Sequence, residues 1–140
     1  MGLICPLTIK LKLQLRSLYG PESNLGWDDP ITDDEHKSWE DLLAFFLNLG
    51  EIVLDRAVKP EGTVGAPKLI GFADGSLEAY ACAIYIRWLL EKVAPDEPDR
   101  FFVRLVCGKA RVTPLKGTTP PRSELSGFLG LTRLLKGIWS

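Results

Sequence analysis

Histidine and cysteine are scarce in this sequence, and their scarcity closes off several kinds of chemistry. The 140 residues hold one histidine, His36, and three cysteines, Cys5, Cys82 and Cys107. No CxxC pair exists and the number of cysteines is odd, which argues against a zinc site or a disulfide scaffold. Cys82 and Cys107 fall in apolar, strand-like runs, where a free thiol behaves as a small hydrophobe. This usage fits a reducing intracellular setting, cytoplasmic or nuclear, rather than secretion. His36 reads as a solvated surface residue. With no second histidine and no nucleophile elbow, nucleophilic catalysis lacks its parts.

Long apolar runs are missing too. No segment approaches the roughly 20 residues of a membrane span, and Lys10 and Lys12 interrupt the N-terminal stretch before it can read as a signal peptide. Pro6 stands where a Met-Gly myristoylation signal needs Ser or Thr. An excess of charge is also lacking: 17 Lys and Arg against 18 Asp and Glu give a net charge of −1. A polyanion partner would have to be met by local basic clusters. What remains, 46% apolar and 25% charged residues, is the balance of a globular chain of one domain or two fragments.

From Pro6 to Leu18 the pattern has two solutions. Leu7, Ile9, Leu11, Leu13 and Leu15 alternate with polar residues, as in a strand, while Leu7, Leu11, Leu15 and Leu18 share one helical face. Tyr19 to Ile31 is a loop. Thr32 with Glu35 makes a capping box, Asp33 and Asp34 complement the helix dipole, and Trp39, Leu42, Leu43, Phe46 and Leu49 continue as an apolar stripe ending at Asn48 or Gly50. Ile52 to Val58 reads as extended. Lys59 to Pro67, with two prolines and two glycines, is the best domain boundary. Strands are expected over Lys68–Asp74, Ala79–Trp88 and Phe101–Cys107, then a loop over Thr113–Pro121 and a helix over Arg122–Lys136. That order predicts a three-stranded antiparallel meander with the helix folded back over it.

The stretch LIGFADGSLEAYACAIYIRW, Leu69 to Trp88, poses one problem: Asp74 ends a strand that is otherwise apolar. Glu124 is an acidic residue at the start of the last helix, from where it can point across the end of the sheet. Two carboxylates that meet repel unless a cation lies between them, and hard oxygen ligands select Mg²⁺ or Mn²⁺. The competing explanation is plain: Asp-Gly-Ser is a turn signal, and a helix favours an acid in its first turn.

Four collinear motifs break the tie. They are Phe72-Ala73-Asp74-Gly75-Ser76; Ala79-Tyr80; Gly108-Lys109-Ala110-Arg111-Val112-Thr113-Pro114; and Pro121-Arg122-Ser123-Glu124-Leu125. Together they resemble the ribonuclease H-like domain of BEL/Pao-type retrotransposon polyproteins. GLICPLTIKLKLQL resembles the segment after the polymerase palm, and NLGWDDPI the linker to the ribonuclease domain, so the likeness covers nearly the whole chain. It implies a helix at Pro6–Leu18, and a mixed α/β (α+β) fold. Residues 1–58 would be a helical, reverse transcriptase thumb- or connection-like segment, 59–67 a linker, and 68–140 a truncated ribonuclease H-like domain.

The resemblance also implies that Asp74 and Glu124 are catalytic ligands of Mg²⁺ or Mn²⁺. The substrate would be an RNA–DNA hybrid, whose RNA strand is cleaved with two ions activating water and leaving group. Lys109 and Arg111 are candidate phosphate contacts, since phosphates and shape dominate hybrid recognition. No membrane partner is implied. The aspartic peptidase of such elements is not this segment, because Asp74-Gly75-Ser76 is not Asp-Ser/Thr-Gly.

The family pattern continues with further carboxylates, whereas no Asp or Glu follows Glu124. The chain is therefore expected to be a polyprotein fragment, with no polymerase activity and little or no nuclease activity alone. The alternative from another class is a non-catalytic, co-opted interaction module, self-associating through exposed apolar surface.

Overall fold

A computed structural model describes residues 2–20, 23, 25, 26, 28–51, 53, 58–114, 116 and 118–139. Its elements run α1 (Cys5–Leu18), α2 (Asp33–Leu47), β1 (Thr63–Gly75), β2 (Ala79–Leu90), β3 (Phe101–Val112) and α3 (Pro120–Trp139). This is the expected α+β arrangement: three helices and one antiparallel sheet in the order β1-β2-β3.

The ambiguous N-terminal segment is helical. Pro6 occupies its first turn, where a missing N–H costs nothing, and Leu, Lys, Gln and Arg are all good helix formers. The helix leans on β3. The Cys5 thiol donates to the Gly108 carbonyl at 3.5 Å. Farther along, the Arg16 guanidinium donates to the carbonyls of Glu78 (3.0 Å) and Thr113 (2.9 Å) and to the Thr113 hydroxyl (3.2 Å).

The capping box forms as the sequence foretold. The Glu35 amide donates to the Thr32 hydroxyl, and the Thr32 amide donates to the Glu35 carboxylate at 2.9 Å. The helix ends at Asn48. Its apolar stripe stays half-buried at best, and α2 meets α1 through Gln14 and Ser38 (3.0 Å) and through Lys10 over the Phe45 ring.

β1 begins at Thr63, inside the stretch that reads as a linker. Gly65 takes a left-handed φ of 71°, and the register with β2 shifts between Val64 and Lys68. The bulge lets Pro67, which has no ladder donor, sit in an edge strand. The extended segment expected over Ile52–Val58 lies for the most part outside the described residues. β3 runs on to Val112, carrying Lys109 and Arg111 within the ladder opposite Cys82 and Tyr80. The β1–β2 reversal is closed by Ser76: its amide donates to the Ala79 carbonyl (2.8 Å), and its hydroxyl accepts from the amides of Glu78 and Ala79.

The core lies between α3 and one face of the sheet. Cys82, the fully buried Ile84 and Leu131 form its centre, with Leu69, Val106, Cys107, Leu134 and Leu135 packed around them. Burying a side chain such as Ile84 contributes about 1.5–3 kcal/mol.

Candidate functional site

Glycines decide how α3 meets the end of β1. A Cβ at Gly75 would lie 2.5 Å from the Ser123 carbonyl carbon and 2.6 Å from the Glu124 amide nitrogen. A Cβ at Gly127 would lie 2.9 Å from the Asp74 carbonyl oxygen and 3.2 Å from that of its cross-strand partner Ala81. Backbone therefore touches backbone where the two candidate acids sit, as the sequence led us to expect of the two elements.

The side chains are a separate matter. Gly71 and Gly75 face α3, so strand alternation turns Phe72 and Asp74 to the other face. There Asp74 lines a groove of about 690 Å³ between the sheet and the start of α1, floored by Ala81, Ala83 and Gly108 and edged by Phe72 and Tyr85. Both Asp74 and Glu124 are exposed. One Asp74 carboxylate oxygen accepts from the Gly75 amide at 2.8 Å, the turn interaction that Asp-Gly favours.

α3 begins at Pro120, two residues earlier than the periodicity predicts. Glu124 therefore stands beyond the first turn, which holds no acidic residue. The helix dipole acts within that first turn, so it does not account for an acid at this position.

Among the described residues no group of three or more His, Cys, Asp or Glu gathers to hold a metal. Asp74 and Glu124 offer the hard oxygens Mg²⁺ takes, but by themselves they do not make a metal centre.

Lys109 and Arg111 lie on the α3 face, paired with Cys82 and Tyr80, which face α3. They line a cleft of about 100 Å³ with Arg133 of α3. A second cleft of about 170 Å³ shares Tyr80 and Ser126 with it and is lined by Lys116, Thr118, Arg122 and Ser123. The sequence reading found two of these cations and missed three. Arg133 was open to detection: it follows Ser126 by seven positions and so shares its helix face.

The thiols serve packing. Desolvation raises the Cys82 thiol above its ordinary value, with the neighbouring Cys107 adding to the rise, and desolvation raises Cys107 as well. Among the described residues no helix is long and apolar enough to cross a membrane.

The family model described as Pao retrotransposon-like RNaseH-like domain matches residues 1–140, the whole chain. No curated protein and no solved structure matches it.

Proposed function

The chain belongs to the Pao retrotransposon RNaseH-like family, and from that premise we propose that it derives from a polyprotein with reverse transcriptase and ribonuclease H activities. The parent would copy RNA into DNA and cleave the RNA strand of the resulting hybrid with Mg²⁺. Asp74 and Glu124 are the two carboxylates this chain brings to the divalent ion, and Lys109 and Arg111 contact backbone phosphates. Residues 1–58 belong to the reverse transcriptase side, and the nuclease part follows residues 59–67. Two carboxylates leave Mg²⁺ mostly hydrated, so the chain alone cleaves little or nothing.

The observation that carries this proposal is the seating of α3 on β1. Gly127 packs against the backbone of Asp74 and Gly75 against that of Glu124, and Glu124 stands where the helix dipole gives it no purpose. Calorimetric titration with Mn²⁺ tests it. Weak binding that is lost in both Asp74→Asn and Glu124→Gln supports shared ligation, while binding untouched by either substitution refutes it. A labelled RNA–DNA hybrid incubated with Mg²⁺ should stay largely intact. Robust cleavage abolished by Asp74→Asn would disprove the inactivity of the chain alone.

A second function, a non-catalytic interaction module, is favoured by one observation. Leu125, Phe128 and Leu129 of α3 are 66%, 57% and 48% exposed, an apolar strip on the side of the helix away from the sheet. Sedimentation would show a discrete, metal-indifferent dimer if copies pair there, and Phe128→Glu would return it to monomers.

A further inference from the structure

Two apolar surfaces of this chain lack a cover. α2 carries the first. It is 15 residues long and buries none of them. A lone helix of that length is marginal in water and draws most of its stability from packing an apolar face. Glu40, Leu43 and Leu47 lie at i, i+3 and i+7, so they share one strip of the helix. Leu43 is 51% exposed and Leu47 86%.

The second surface is the face of the sheet opposite α3, which α1 meets at β3. An antiparallel sheet can turn one face to water, and that face is then polar. Here Ile70, Phe72, Tyr85 and Val103 keep it apolar, because they alternate with the residues that face α3. Phe72 and Val103 are more than half exposed, and the Phe72 ring meets Tyr85 edge-on at 5.8 Å.

Charge says how the two surfaces fit. Lys68 and Arg87 stand directly opposite each other on the outer face, where like charges repel. Among the described residues neither makes an ion pair, and Arg87 lies over the Phe101 ring at 4.4 Å. The three strands hold a single acid, Asp74, at the other end of β1. α2 holds Asp33, Asp34, Glu35, Glu40 and Asp41 against one lysine, Lys37. Lengths agree as well. The helix advances about 10 Å from Glu40 to Leu47, and the strand about 13 Å from Lys68 to Phe72. A strip with an acid at one end and leucines at the other thus matches a face with cations at one end and aromatic rings at the other.

We propose that α2 of one copy docks on the outer sheet face of a second copy, with Glu40 beside Lys68 and Arg87, and with Leu43 and Leu47 against Phe72 and Tyr85. Within one chain α2 sits beside α1, so the cover comes from the neighbour. The exchange is reciprocal, and a two-fold dimer covers both sheets. This surface is distinct from the α3 strip around Phe128, and the dimer does not depend on the catalytic ancestry of the chain.

Sedimentation velocity on the full chain is the test. A concentration-dependent dimer is expected, weaker at high salt. Leu47→Glu, Lys68→Glu and Glu40→Lys alter exposed side chains, so the fold stands, which circular dichroism checks. Each should weaken dimerisation about tenfold, while Phe128→Glu should leave it unchanged. Mixing the Glu40→Lys chain with the Lys68→Glu chain should restore the dimer, because both contacts of the mixed pair again join opposite charges. A chain that is monomeric at every concentration, a dimer unmoved by Leu47→Glu, or a mixture no tighter than its components overturns the proposal.

Discussion

Gly127 lies over the backbone of Asp74, close enough that one added methyl group would stand 2.9 Å from the Asp74 carbonyl oxygen. Gly75 makes the reciprocal approach to Glu124. Both neighbours are backbone, which cannot swing aside. Gly127→Ala and Gly75→Ala should each cost about 1–3 kcal/mol by forcing the helix off the sheet, even though alanine favours a helix. Gly137, with nothing within 4 Å of an added Cβ, is the control: Gly137→Ala should gain about 0.5–1 kcal/mol. Urea denaturation of the three variants checks the contrast.

Arg16 ties α1 to the far end of the sheet. Its guanidinium serves two carbonyls and the hydroxyl of Thr113, itself only 3% exposed. Arg16→Ala should lose about 1–3 kcal/mol, since it strips donors from partly buried acceptors. Arg16→Lys should recover only part of it, because an ammonium lacks the planar fork. Hydrogen exchange should quicken in α1 and at the amide of Thr113, which donates to the Glu78 carbonyl.

The thiols of Cys82 and Cys107 hold their protons above the ordinary value of 9.0 because burial disfavours the thiolate. A raised folded-state value means the folded chain prefers the protonated form. The stabilisation is fully present below pH 9 and is lost as pH rises through the folded value. Alkylation of both should lag a model thiol at pH 8–9, with Cys82, 6% exposed, the slower; mass spectrometry of a time course reads the order.

Glu35 has a carboxyl held below its ordinary 4.5, first by the Thr32 backbone amide and then by the Thr32 hydroxyl. Here the sign reverses. The stabilisation of α2 is present above pH 4.5 and vanishes as pH falls through the lowered value. Amide exchange in the first turn of α2 should rise on acidification below pH 4.5, and Glu35→Gln should flatten that dependence.

Local signals carried much of the fold. The Thr32–Glu35 capping box depends on four adjacent residues, and it forms as written. The meander was legible from short reversals between apolar runs. β1 started early because Pro67 and Gly65 read as a break, whereas a bulge absorbs both within an edge strand. The N-terminal helix was decided by family likeness, since the alternation of Leu7 to Leu15 satisfies either period. At the site, sequence brought Asp74 and Glu124 to neighbouring backbones. It did not reveal the face on which Asp74 projects. That depends on which glycines meet α3, a tertiary choice that no local pattern encodes.

The kink at Gly65 and Pro67 has an effect on colloidal behaviour. β1 is an outer strand whose free edge could template a neighbour's chain, yet a visiting segment finds a straight row of donors only from Lys68 to Gly75. Past that it meets a proline with no N–H and a backbone that veers away. Edge-to-edge pairing through this side is therefore confined to Lys68–Gly75 and does not run on toward Thr63, which limits the length over which a second copy can add itself to the sheet.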